Sequence, residues 1–231
     1  MKRTLRRLYG QAPITFSACA VMVVVYLLTA VGSRSFVNNL DGSQLADDWT
    51  LYLPAMLSSP VGPLRAVGGL FLHQGPSHLV LNVLMIFLIG REVERAVGRW
   101  LYLLALCGGG LGSSAAVVWM NPTTPTVGAS GAAYALMAML VVLSRKRGLS
   151  IVSPLVLVLV NLGYSVVTPG VSLWGHLGGL IAGAVIAVVV FSRVLRRWAR
   201  LLLVVIIVAA VALILVRVNE FSTTSLWTMY T

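Results

Sequence analysis

Long apolar stretches separated by short polar connections run the length of the chain. Seven stand out: Ile14 to Val31, His78 to Gly90, Trp100 to Met120, Ser130 to Leu143, Leu149 to Val167, Leu173 to Ser192 and Leu201 to Val216. Several approach or exceed the roughly 17–25 residues that a helix needs to cross about 30 Å of hydrocarbon, and none alternates with the short period of a barrel strand. The pattern predicts an all-α fold, a polytopic membrane helical bundle. Residues 1–13 form an N-terminal cytoplasmic segment, 14–192 hold six spans, 193–200 are a basic linker, 201–216 a seventh transmembrane helix and 217–231 an external tail. The one long connection, an outer loop over 32–77, carries Asp41, Asp47, Asp48 and the punctuation from Pro60 to Pro63. A loop of that length carries function or a small subdomain of its own.

The positive charges orient this bundle. With the N-terminus inside, 14 of the 17 Lys and Arg residues fall in inner segments, leaving only Arg34, Arg65 and Arg217 outside. Lys and Arg resist translocation, so the expected topology is a multi-pass protein of the cell membrane, N-terminus cytoplasmic and C-terminus external. A cleaved signal peptide over the first 33 residues is the weaker reading, because the inside/outside count works only if that helix remains.

Composition agrees. With 58% hydrophobic and 10% charged residues and a mean hydropathy of +0.94, the chain is neither an ordinary soluble globule nor a disordered segment. Cys19 and Cys107 lie inside apolar runs and build no disulfide framework. The net charge of +11 is a topology signal, and the lack of a basic, aromatic-laced patch argues against nucleic acid as a partner. The lipid bilayer is the expected partner.

Ser130 to Leu143 is short, rising only about 20 Å, so its outer end stops below the outer surface. The preceding Asn121 to Gly128, with Pro122 and Pro125, must then dip inward. Non-helical backbone is tolerated there only if it is buried in protein or lines a wet cavity. A short central helix therefore implies an aqueous pocket open to the outer face.

Polar groups inside the spans mark candidate chemistry, because each is costly in hydrocarbon. They form three clusters: His73, His78 and Asn82; Gly128-Ala129-Ser130-Gly131 with Tyr134; and Gly175-His176 followed by Gly178, Gly179 and Gly183. At the helical rise Ser130 sits roughly 20 Å and His176 roughly 24 Å above the inner ends of their helices, with His78 near 18 Å and Asn82 one turn lower. The four can meet in one pocket. A serine hydroxyl needs a neighbouring base, and neutral histidine is the usual one. Ser130 also opens a helix, whose unpaired N–H groups favour an oxyanion, and His78 and Asn82 could complete that hole. Gly128 and Gly131 remove bulk beside Ser130, and Tyr134, one turn on, is placed to stack on the imidazole. The acidic residues Asp41, Asp47, Asp48, Glu92, Glu94 and Glu220 all lie away from His176, which argues for a Ser/His dyad in place of a triad. No cofactor or metal is expected: zinc chemistry of the H-E-x-x-H kind is excluded because that motif is absent, and a histidine metal site would need three ligands at tight geometry.

In these residues the sequence resembles the rhomboid family of intramembrane serine proteases. The carriers are His73-x4-His78-x3-Asn82 with Gly90-x3-Glu94-x3-Gly98, then Gly128-Ala129-Ser130-Gly131-x2-Tyr134-Ala135-Leu136, then Gly175-His176-x2-Gly179-x3-Gly183. The resemblance implies a six-helix core with one C-terminal helix appended. It implies Ser130 as nucleophile, His176 as base, and His78, Asn82 and the Ser130 amide as oxyanion hole. Transmembrane helices of other proteins, cut near their outer end, are the implied substrates. Leu64-Arg65 replaces the Trp-Arg pair that the family often carries, and Gly175 replaces a frequent alanine.

Each feature has a plainer reading. Gly179-x3-Gly183 is expected to be helix packing, His73 a hydrogen-bonded structural group, and Glu94 part of an interfacial cluster with Arg91 and Arg95. Alternatives for the whole are a catalytically silent rhomboid-like binder of transmembrane helices, which would be expected to lose Ser130 or His176, and a histidine-lined transporter, which finds no intramembrane acid and no repeat.

Overall fold

The computed structural model describes residues 10–230, leaving the first nine residues, with Lys2, Arg3, Arg6 and Arg7, and Thr231 outside the described residues. The fold is an all-helical, multi-pass membrane bundle. Helix α1 (Pro13–Ser33) leads into the outer loop, which folds into three short helices, α2 (Gln44–Trp49), α3 (Leu53–Met56) and α4 (Arg65–Gly68). Helix α5 (Gly75–Met85) continues through one wide turn (Ile86–Gly90) into α6 (Arg91–Val97), and the two together form the second span. Then come α7 (Arg99–Met120), α8 (Ser130–Lys146), α9 (Val152–Val167), α10 (Leu173–Phe191) and α11 (Ala199–Tyr230). Among the described residues five segments are long and apolar enough to cross a membrane: α1, α5 with α6, α7, α10, and α11 with the turn before it.

Several elements differ in length from the apolar runs that predict them. Helix α8 extends past Leu143 to Lys146, a rise of about 25 Å that still falls short of the hydrocarbon thickness. Helix α11 does not stop at Val216: residues beyond it, expected as an external tail, continue the helix to Tyr230. Arg217 permits this by pairing with Glu220 one turn on at 3.4 Å and donating to the carbonyl of Val118 on α7.

Helix α8 is the axis of the bundle. Gly131 through Met139 are all buried, an all-round burial that only a central helix has. Small residues bring α10 against it: a Cβ at Gly179 would collide with the carbonyl of Gly131, and one at Gly183 with the backbone of Ala135. The Gly179-x3-Gly183 spacing is thus a close-packing stripe, as expected.

At the inner end, Glu94 departs from expectation. It is buried, and its carboxylate accepts from the N–H groups of Ile14 (3.0 Å) and Thr15 (2.8 Å) and from the Thr15 hydroxyl (2.7 Å). Helix α1 has Ala12 at its N-cap and no side-chain cap of its own, so Glu94 satisfies donors that would otherwise be orphaned. The charge cluster belongs to Glu92, which pairs with Arg91, Arg95 and Arg147.

Candidate active site

The segment before α8 is fixed by the outer loop. Leu51 and Thr126 form an antiparallel bridge, Leu53 N–H donates to Pro122 O (3.2 Å) and Gly128 N–H to Gly69 O (2.8 Å). The loop is itself clasped by Asn39, which is buried: its amide donates to Thr29 Oγ1 (2.7 Å) and His73 O (2.9 Å) and accepts from Gly75 N–H (2.8 Å). His73 is fully buried. Its Nδ1 lies 3.0 Å from Phe71 O, so it carries the proton, and its Nε2 accepts from Ala129 N–H at 3.4 Å. Burial, with the His78 ring beside it, pushes His73 down to about 3. It is hydrogen-bonded at both ring nitrogens, the plainer role expected of it, and it ties the loop to the residue before Ser130.

Ser130 opens α8, and His176 lies in the first turn of α10, whose start is capped by Ser172 Oγ accepting from Gly175 N–H. The two side chains meet, with Ser130 Oγ 2.7 Å from His176 Nε2. Tyr134 stacks on the imidazole with ring centroids 4.3 Å apart and planes 20° apart. All three line a cavity of about 390 Å³ together with His78 and Asn82. Its lining runs from Gln74 and Pro125 in the outer connections down to Met85 and Met137.

The remaining residues predicted for the site fall around this contact. His78 Nδ1 accepts from Gln74 N–H at 3.3 Å, which leaves the proton on Nε2, and that edge of the ring faces Gly128. Gly128 has φ +118, and a Cβ there would lie 2.7 Å from His78 Nε2, so only glycine fits on both counts. Asn82 is buried and donates from Nδ2 to the carbonyl of His78 at 2.9 Å, with a second amide proton left over. Gly131 packs so tightly on Ser113 that a Cβ would overlap its hydroxyl.

One neighbour escaped the sequence reading. Ser165 Oγ on α9 lies 2.6 Å from His176 Nδ1. Its only advance signal is a pair of polar residues, Asn161 and Ser165, one turn apart in an apolar run. Among the described residues no cluster of His, Cys, Asp or Glu is arranged to hold a metal ion.

Comparison with known proteins bears on this geometry. The family model described as Rhomboid domain matches residues 62–193, from the end of the outer loop to the end of α10. The chain belongs to the rhomboid family. Similar curated proteins include Rhomboid protease GluP of Bacillus subtilis (strain 168), 32% identical over 124 residues covering 52% of this chain and 24% of that protein. RHOMBOID-like protein 4 of Arabidopsis thaliana is 32% identical over 139 residues, 55% of this chain and 34% of its own length. Rhomboid-like protease 5 of Toxoplasma gondii is 40% identical over 127 residues, 52% of this chain and 15% of its own. The chain thus spans at most about a third of the length of these rhomboid relatives.

Proposed function

We propose that this protein is an intramembrane serine endopeptidase that cuts transmembrane helices of other membrane proteins with a Ser130/His176 dyad. The observation that carries the reading is the 2.7 Å approach of Ser130 Oγ to His176 Nε2 at a lined cavity. Two of the relatives are named rhomboid proteases, which supports it.

In this reading His176 Nε2 takes the Ser130 proton as Oγ bonds to the scissile carbonyl carbon. The resulting oxyanion is met by the Ser130 amide at the start of α8, by His78 Nε2–H and by the spare amide proton of Asn82. Collapse breaks the C–N bond, and the imidazolium returns its proton to the leaving amine. Water, deprotonated by the same nitrogen, then hydrolyses the acyl-enzyme and restores Ser130. Gly128 lets the backbone before Ser130 lie against the His78 ring and Gly131 lets α8 close on Ser113, so neither frees the space for a substrate expected of it, and Tyr134 holds the imidazole plane. The protein sits in the cell membrane with its N-terminus cytoplasmic and its C-terminus external, so the cut falls near the outer end of the substrate helix.

The test is cleavage of a single-pass substrate in reconstituted bilayers, with fluorophosphonate labelling in parallel. Wild type is expected to cleave and label, whereas Ser130→Ala and His176→Ala do neither. Equal labelling of wild type and Ser130→Ala would overturn the proposal and leave a helix-binding rhomboid-like protein.

A further inference from the structure

The nitrogen of His176 that faces away from Ser130 has a hydroxyl partner, Ser165. Ser165 Oγ has three neighbours: the carbonyl of Asn161 at 2.8 Å, Nδ1 of His176 at 2.6 Å and the hydroxyl of Tyr134 at 3.1 Å. A hydroxyl offers one proton and two lone pairs, and a carbonyl only accepts. We infer that the Ser165 proton goes to Asn161, the one neighbour that can only accept. Both lone pairs then accept, one from the Tyr134 O–H and one from Nδ1–H of His176. That leaves His176 as the Nδ1–H tautomer, with its Nε2 lone pair turned to Ser130.

The environment of Ser165 is consistent with a dedicated role. In α9 only Pro154, Val158 and Ser165 are buried, so this helix reaches the site through few side chains, one of them this hydroxyl.

We propose that Ser165 is a positioning residue for the His176 base, a neutral hydroxyl standing where a triad has a carboxylate; this rests on the proteolytic reading above. When Nε2 takes the Ser130 proton, Nδ1 keeps its own, and the imidazolium so formed remains hydrogen-bonded to the Ser165 lone pair. The hydroxyl fixes tautomer and ring direction without bringing a costly negative charge into the membrane. It also gives less electrostatic help to the imidazolium than a carboxylate gives.

The experiment uses the full chain in reconstituted bilayers, comparing wild type, Ser165→Ala and Ser165→Thr by cleavage kinetics and by ¹⁵N spectra of labelled histidine. Ser165→Ala is expected to lower kcat about tenfold, well short of the ~10⁴ lost with a triad carboxylate, with KM changed less than about twofold. Ser165→Thr, which keeps the hydroxyl, recovers most of the rate. The His176 spectrum reads Nδ1 protonated in wild type and a mixture of tautomers in Ser165→Ala. Full kcat in Ser165→Ala overturns the proposal. So does a wild-type spectrum with the proton on Nε2, a measurement that needs no variant to fold. Wild type that neither cleaves nor labels overturns the proteolytic reading instead, while the tautomer spectrum still decides what Ser165 does.

Discussion

Gly179 on α10 and Gly131 on α8 touch backbone to backbone, three residues beyond His176 and one beyond Ser130. A Cβ at 179 has no space, because it would overlap the Gly131 carbonyl. The dyad distance is therefore set by the helix crossing beneath it. Gly179→Ala is expected to push the helices apart, to destabilise the fold by about 1–3 kcal/mol and to reduce fluorophosphonate labelling more than global unfolding explains. Thermal unfolding and labelling rate, measured on the same samples, check this. Full labelling with unchanged stability would show that the crossing tolerates a methyl group.

His73 makes stability depend on pH. Folded, it is held down to about 3, whereas a histidine in the unfolded chain titrates near 6.5. Above that value neither state takes a proton and the residue contributes no pH dependence. As pH falls below 6.5 the unfolded state binds a proton that the folded state refuses, so stability is lost, by up to about 1.4 kcal/mol per pH unit, until pH nears 3. Denaturant titrations between pH 7 and 4 are expected to show a shallower acid loss in His73→Gln than in wild type. Parallel slopes would contradict the assignment.

Glu94 is the cap of α1 from a distance, and its removal orphans the buried Thr15 N–H and hydroxyl and the partly buried Ile14 N–H. Glu94→Ala should cost on the order of 3 kcal/mol, while Glu92→Ala, which breaks only partly exposed ion pairs, should cost less than about 1 kcal/mol. Unfolding midpoints of the two variants, side by side, distinguish a buried cap from a surface cluster.

The contrast between these two glutamates shows where the sequence was legible. Ser130 and His176 could be paired because helical rise converts residue counts into depth, and both counts were taken from basic clusters that mark the inner surface. Gly179 and Gly183 were readable because a four-residue spacing of glycines has one common use in a membrane helix. Nothing comparable separates Glu94 from Glu92: which carboxylate turns inward depends on the helix phase at the wide turn Ile86–Gly90, which periodicity alone does not fix. Ser165 was hidden for a related reason. A lone serine that bonds back to the carbonyl one turn before it is ordinary in apolar helices, and only the packing of α9 beside α10 brings it to His176. The length of α11 is not legible because the apolar run ends at Val216, yet Arg217 is held by Val118 and Glu220.

Substrate choice should follow from helix stability. Ser130 lies in a recess of about 390 Å³, beneath a segment anchored to Leu51, Leu53 and Gly69. On the proteolytic reading, each carbonyl of a substrate helix is already bonded to an N–H four residues on and shielded by its own turn, so the helix must unwind locally before Ser130 can attack. Relative to alanine, glycine weakens a helix by about 1 kcal/mol and proline by about 3. If that unwinding precedes the rate-limiting step, two glycines beside the scissile bond should raise kcat/KM by about 2 kcal/mol, roughly 30-fold, over a uniformly leucine-rich segment. The comparison is a pair of single-pass substrates differing only at those two positions, assayed in the same bilayers with Ser130→Ala as the blank. Equal kcat/KM for the pair would mean that unwinding lies outside the rate-limiting step and that selectivity arises in docking the intact helix.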